Sequence, residues 1–401
     1  MSLRKYYIMN KSYLVSYVVF GYMCSYAEDT CVLMYDGTSK KIQDIVACDV
    51  LMGDDSQPRH ILDINIGYDD LYILQPTKGE PVCVGKMHTL KLKHSCMGIE
   101  RLKTKVPSFS TRTLDKENMK LHMSHFKNHE DAKSFLSSLS EEDKIIHISV
   151  SDYMGKSSKF KSNLKVFRQP VSFTHKEPLF DPYIIGVWLG DGGERSTVIT
   201  NQEGTILHYI NKTIKQYNLL LNFQSKYDYR ISYNSGHCKP GQNVFLNSLK
   251  DYDLINNKHI PYLLRCNSRD VRLHILAGLL DTDGSLDSNC YEITQENEVL
   301  MDDIIYLARS LGFGAYKKVK QGSYIKTNGE KFIGTYYRCF ISGEGIEHVP
   351  VKVARKKATT RKQIKDVLVS GFTVTKHGYG KCYTLRIDGN GRHLLSNFVV
   401  C

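Results

Sequence analysis

The sequence predicts a β-rich domain interrupted by a mixed α/β insertion. Three observations carry this. Strand-like segments occupy both ends of the chain, residues 30–95 and the tail from Gly371. Between them, residues 176–315 alternate helix-like and strand-like segments. Within that stretch two apolar runs each end in Asp-Gly, one at Asp191-Gly192 and one at Asp283-Gly284.

The bulk properties agree with a folded, basic protein. The 401 residues allow two or three domains. A composition of 41% hydrophobic and 24% charged residues suits a sizeable core and excludes wholesale disorder or a fibre. Lys+Arg total 54 against 42 Asp+Glu, a net +12 that favours a polyanionic partner, nucleic acid first. The longest apolar run, Tyr13 to Met23, is shorter than the ~20 residues a bilayer span needs, so no membrane is expected. Arg4, Lys5 and Lys11 before it imitate a secretory signal, but no small-x-small cleavage site comes after it. The eleven cysteines are scattered with no Cys-x2-Cys pair. That pattern predicts a reduced, intracellular protein without a zinc site or a disulfide framework.

Along the chain, residues 1–23 differ in character from the strand-like segments after them and read as upstream sequence. Residues 30–95 alternate β-branched and polar positions between turn signals: Asp36-Gly37, Gly53-Asp54-Asp55 and Gly67-Tyr68-Asp69-Asp70. Residues 97–145 turn polar and Lys/Glu/Ser-rich, with a helical stretch around Glu130 to Leu139. Residues 352–366 are strongly basic, and short strands return after Gly371.

The two apolar runs are Ile184-Ile185-Gly186-Val187-Trp188-Leu189-Gly190-Asp191-Gly192 and Leu276-Ala277-Gly278-Leu279-Leu280-Asp281-Thr282-Asp283-Gly284. Each carries small residues four apart, Gly186/Gly190 and Gly278/Thr282, which clear one helix face for close backbone approach. A helix C-terminus carries partial negative charge, so Asp191 and Asp283 sit where carboxylates are disfavoured by roughly 0.3–1 kcal/mol each. The glycine after each is expected as a left-handed C-cap. Packed side by side, the helices bring both carboxylates to one edge, where they need a cation. Hard divalent ions prefer carboxylate oxygen. A basic protein with paired carboxylates and such an ion suggests metal-assisted phosphodiester hydrolysis.

These runs resemble the two motifs of LAGLIDADG homing endonucleases, the second departing from the consensus only at Leu280 and Thr282. The resemblance implies Asp191 and Asp283 as catalytic, metal-binding carboxylates, with the backbone of Gly190 and Thr282 completing the site. It implies Mg2+ (or Mn2+) as cofactor and, with two motifs in one chain, a monomer with pseudo-two-fold symmetry on a long asymmetric site in double-stranded DNA. Lys258-His259-Ile260-Pro261 resembles the family's Lys-x-x-Pro block, which makes Lys258 catalytic. In the second half, Glu347-His348-Val349-Pro350 has Glu where the lysine stands, leaving Lys356 or Lys357 as its counterpart. Arg355, Lys356, Lys357, Arg361 and Lys362 are the expected DNA contacts of the basic segment, and residues 97–145 are either a further DNA arm or a plain surface insertion.

The flanks resemble the splicing (Hint) blocks of inteins, notably those of eukaryotic viruses and fungi. Ser25 to Gly37 resembles the first block, and Val84-Gly85-Lys86-Met87-His88-Thr89-Leu90 the second, with Gly85 where many members have Thr. The first block needs a nucleophile that attacks its own preceding carbonyl. Register puts Ser25 there and thiol reactivity puts Cys24 there. His88 activates the scissile peptide, and His393 is the candidate histidine of the penultimate block. Leu394 to Cys401 resembles the last block without the closing His-Asn pair. The chain is therefore expected to start splicing but not finish it, with no cofactor for that chemistry.

The reading is a β-rich, horseshoe-like Hint domain, residues 24–170 and 367–401, interrupted by an α+β LAGLIDADG endonuclease at 171–366. Residues 1–23 are upstream host (extein) sequence, the host protein supplying both flanks. Localisation is that of the host: cytoplasm, nucleus or virus. The rival is a DNA- or RNA-binding maturase-like module or decayed endonuclease, which loss of either helix-end aspartate would favour. A secreted Hint-type autoprocessing protein is the third reading, and the central insertion argues against it.

Overall fold

The computed structural model describes residues 23–94, 98–102, 108–116, 120–234, 241–325, 331–360 and 365–401. The chain divides into two compact units. One is made of residues up to Gln169 together with Val369–Cys401, and the other is Pro170–Leu368. Among the described residues no helix is long and apolar enough to cross a membrane.

The discontinuous unit is β-rich because its two halves supply complementary strands. The long strands Pro58–Pro76 and Phe372–Ile387 run antiparallel, from Phe372 opposite Pro76 to Ile387 opposite Ile61. Cys24–Ala27 and Val82–Gly85 complete the sheet, which also takes in Val50–Met52. The outer Phe372–Ile387 strand pairs back onto Pro58–Pro76. Inward residues such as Tyr26, Val84, Leu74 and Leu385 form its core, while Leu62, Ile66 and Tyr68 face solvent. A second sheet orders Ile145–Ser149, Thr89–His94, Leu164–Phe167 and Val369–Ser370. The polar 97–145 stretch forms an antiparallel sheet of Ile99–Leu102, Ser108–Asp115 and Lys120–Phe126 with the helix His129–Ser138. That helix starts where the Asn128 side chain accepts the Asp131 N–H. At the chain end His393 and Cys401 exchange backbone hydrogen bonds of 2.8 and 2.9 Å, and the Leu33 N–H donates to Leu394.

This unit buries several histidines in neutral form. Burial, aided by the Lys91 charge, lowers His147 and His393 to about 3 and holds His88 well below its usual value. The unfolded chain therefore binds protons first as pH falls below about 6.5. Stability is fully present above that value and drains away as pH drops toward 3. Urea midpoints tracked by circular dichroism should fall between pH 7 and pH 4, and His147→Asn should flatten the slope. A midpoint that rises toward pH 4 would contradict the burial argument.

The inserted unit is built on two helices. Helix α1 (Pro182–Asp191) starts with Pro in its first turn and Asp181 accepting the Ile184 N–H. Helix α2 spans Arg269–Asp283. Each is succeeded by antiparallel strands with a helix among them. After α1 come Val198–Thr200, the helix Gly204–Thr213, Leu219–Ser225 and Asp228–Tyr233. After α2 come Gly284–Asp287, Cys290–Gln295, the helix Glu298–Ser310, Gly314–Ile325 and Lys331–Ser342. Helix α1, and α2 over residues 275–280, are apolar nearly all round because these stretches lie inside the core, with Trp188, Ile275 and Leu279 fully buried.

Glycine spacing sets how closely the helices approach. A Cβ on Gly186 would lie 2.4 Å from the Ile275 carbonyl oxygen, and one on Gly278 2.3 Å from that of Tyr183. The glycines after the helices do not take the left-handed form expected of them. Gly192 and Gly284 are extended, with φ −80° and −86°. Their bareness serves packing: a Cβ on Gly192 would meet the Trp188 carbonyl oxygen at 2.3 Å, and one on Gly284 the Leu280 carbonyl oxygen at 2.7 Å.

Candidate functional site

The helix packing carries α1 and α2 to a common edge, so Asp191 and Asp283 converge. A Cβ on Gly190 would sit 2.1 Å from Thr282 Oγ1 and 3.0 Å from Asp283 Oδ2. Burial is the main force on both carboxyls. It lifts Asp191 to about 6, where the hydrogen bond from Asn201 opposes it and the Asp283 charge adds to it. It also raises Asp283, against a hydrogen bond from Gln295. Desolvated carboxylates so close together call for a cation.

Each carboxylate is held by an amide at the end of a neighbouring strand. Asn201 Nδ2 donates to Asp191 Oδ2 at 2.5 Å, and Gln295 Nε2 donates to Asp283 Oδ2 at 2.6 Å. Neither amide was singled out from the sequence. A signal was present, since Ile199-Thr200-Asn201 and Ile293-Thr294-Gln295 repeat one pattern after each motif.

The lysines repeat too. Lys258 Nζ donates to the Gly190 carbonyl at 3.2 Å and lies 5.3 Å from the Trp188 ring centre. Its segment is pinned by Asn297, which donates to the Lys258 carbonyl, and by Asp303, which accepts the Ile260 N–H and pairs with Arg265. In the second half it is Lys356, buried, that reaches the site. Its ammonium donates to the carbonyls of Leu280, Asp281 and Thr282 at 3.0, 2.7 and 3.2 Å. Buried Asp281 anchors that segment, accepting the Lys352 N–H at 2.5 Å and the Tyr183 hydroxyl at 2.7 Å. Burial lowers the pKa of both lysines, the nearby carboxylates working against it.

The two candidate lysines differ in placement: Lys357 is exposed, whereas Lys356 is buried with its ammonium spent on the end of α2. Arg355 is exposed and pairs with Glu203. Arg361 and Lys362 lie outside the described residues, as do residues 1–22 of the expected host segment.

The donors fit a hard divalent ion. They are two carboxylates, which are hard oxygen; the main-chain oxygens of Gly190 and Thr282 beside them each accept from a lysine ammonium. Among the described residues no group of three or more His, Cys, Asp or Glu could hold a metal.

In the discontinuous unit the candidate splicing residues also gather. The Ser25 N–H donates to His88 Nδ1 at 3.1 Å. Cys24 Sγ lies 4.0 Å from His393 Nδ1, and the Tyr26 hydroxyl lies 3.0 Å from His393 Nε2. The Tyr26 ring meets His88 edge-on with centroids 4.9 Å apart. All five residues are buried. Tyr26 too was not foreseen, because its contact with His393 comes from the far end of the chain.

Residues 259–369 match the family of homing endonucleases. The chain is 27% identical over 147 residues to a replicative DNA helicase DnaB of Mycobacterium intracellulare, covering 36% of this chain and 21% of that protein. It is 23% identical over 250 residues to the homothallic switching endonuclease of Saccharomyces cerevisiae, covering 54% of this chain and 42% of that protein. The chain thus spans less than half the length of the curated relatives it matches. Among solved structures, the homing endonuclease I-DmoI in complex with DNA and Ca aligns over 40% of this chain and 82% of its own, at 17% identity and TM-score 0.27. A mesophilic variant of I-DmoI aligns over 40% and 83%, at 15% identity and TM-score 0.26.

Proposed function

We propose that the inserted unit is a site-specific DNA endonuclease that uses Mg2+ (or Mn2+) and cuts both strands of a long asymmetric site as a monomer. The observation that carries this is the meeting of buried Asp191 and Asp283 at the abutting ends of α1 and α2, each with its own amide and lysine. The match of residues 259–369 to homing endonucleases supports it. Asp191, Asp283 and the carbonyls of Gly190 and Thr282 would hold the ion. Once bound, such an ion polarises a phosphate and lowers the pKa of water. Asn201 and Gln295 fix the carboxylate orientations. Lys258 and Lys356 stand over the helix ends, where their charge opposes the negative charge that grows on a reacting phosphate. An open groove on the sheet of Leu219–Ser225 and Asp228–Tyr233 is lined by Asn222, Arg230 and Ser232. Amide and guanidinium groups of this kind read base edges.

The test separates rate from affinity. Lys258→Ala and Lys356→Ala should each slow single-turnover cleavage by roughly 10²–10³-fold while changing DNA affinity far less. The substrate is the host gene lacking the insertion, or a duplex selected from a random pool. Equal falls in rate and affinity would reduce the lysines to phosphate contacts. DNA binding without any Mg2+-dependent cleavage would instead favour the maturase-like reading.

A second reading concerns the discontinuous unit, taken as an autocatalytic splicing domain with host sequence on its flanks. The hydrogen bond from Ser25 N–H to His88 favours it. An acyl shift breaks the bond between a carbonyl and the nitrogen of the residue whose side chain attacks. The nitrogen held by His88 is that of Ser25, so Ser25 is the nucleophile and Cys24 contributes the carbonyl.

A further inference from the structure

Serine is a weak nucleophile unless a base takes its proton. Cys24 and His393 face each other, and His88 is engaged with the Ser25 nitrogen rather than its hydroxyl. The surroundings of the Ser25 side chain supply another group. Leu71 pairs with Gly85, which places Asp69 just beyond the end of that ladder. A Cβ on Gly85 would lie 2.4 Å from Ser25 Oγ and 3.1 Å from Asp69 Oδ2. The hydroxyl and the carboxylate thus both border the space that a side chain on this one glycine would fill. Asp69 is held there through its other oxygen, since Oδ1 accepts the Asp70 N–H at 2.8 Å. Gly85 also stands where the resemblance expects threonine, and a side chain there would displace the Ser25 hydroxyl.

We propose that Asp69 is the proton acceptor for Ser25 in a nitrogen-to-oxygen acyl shift, and that Gly85 keeps open the gap in which the two meet. This rests on the acyl-shift reading of the unit. In the step, Ser25 Oγ bonds to the Cys24 carbonyl carbon and its proton passes to Asp69. The bond from that carbon to the Ser25 nitrogen then breaks, and the nitrogen takes the proton from Asp69. An ester and a free amine result, with no proton gained or lost overall. His88 holds the nitrogen in place throughout.

The experiment uses the full chain with hydroxylamine, which traps the ester as a Cys24 hydroxamate, and mass spectrometry of the two fragments. Asp69→Asn should slow cleavage between Cys24 and Ser25 by roughly 10²–10⁴-fold, the usual contribution of a general base. A thiol ionises near neutral pH without such help. In a Ser25→Cys background, where only the departing nitrogen still needs the Asp69 proton, Asp69→Asn should therefore slow cleavage far less than it does with serine. Cleavage of the unsubstituted protein that Asp69→Asn leaves intact overturns the Asp69 assignment alone. Equal slowing with and without the Ser25→Cys substitution makes Asp69 a structural residue and overturns it as well. Absence of cleavage in both the unsubstituted protein and Ser25→Cys overturns the acyl-shift reading, and the proposal with it.

Discussion

Asp283→Asn, and equally Asp191→Asn, should abolish double-strand cleavage while leaving DNA binding largely intact. An amide keeps the shape and the hydrogen bond to Gln295 or Asn201 but removes the charge that would hold a divalent ion. Loss of an outer-shell partner already costs roughly 10–100-fold in metal affinity or activity, and loss of the carboxylate itself should exceed that. The protein should if anything be more stable, because each buried carboxylate disfavours its own ionisation. Three readings check this: cleavage on a gel, affinity by mobility shift, and the urea midpoint. Undiminished nicking and cutting in both variants would remove these residues from the chemistry.

Gly278→Val should disrupt the inserted unit. The new Cβ would fall 2.3 Å from the Tyr183 carbonyl oxygen and 2.6 Å from the Val187 nitrogen, both backbone atoms of α1. Backbone cannot rotate aside as a side chain can, so the helices must separate. Overpacking costs roughly 1–3 kcal/mol even where side chains give way, against a total stability of roughly 5–15 kcal/mol. The sole tryptophan, Trp188, is fully buried in α1 and reports the change by fluorescence. Gly204→Ala is the control, since a Cβ there meets nothing within 4 Å. Matching urea midpoints for the two variants would show that close helix approach is not what the glycines provide. Because the carboxylates sit at the ends of the same helices, any variant that folds with its helices splayed should also lose cleavage.

Much of the site was legible because its chemistry is local in sequence. Asp191, Asp283 and the small residues before them lie within single helices, where a spacing of four fixes which residues share a face. Lys258 was legible from its block. Its counterpart was not, because Lys356 and Lys357 are chemically identical neighbours in an irregular segment. Only the fold turns one inward to the end of α2 and leaves the other in water. Asn201 and Gln295 were hidden for a related reason. Each acts from the end of a strand, and strand ends acquire partners through packing rather than through periodicity.

By itself, then, the sequence determined the β-rich flanks, the two apolar helices and the carboxylate at the end of each. These arise from alternation, helical spacing and glycine placement, all read within a few residues. The tertiary structure decided what depends on residues far apart in the chain. It put His88 on the nitrogen of Ser25. It brought His393 to Tyr26 and set Asp69 across Gly85 from the Ser25 hydroxyl. It also gave Gly192 and Gly284 an extended backbone, because the space a side chain would need is filled by the last turn of the helix before it. Burial and long-range contact set these arrangements, and neither is encoded in any local pattern.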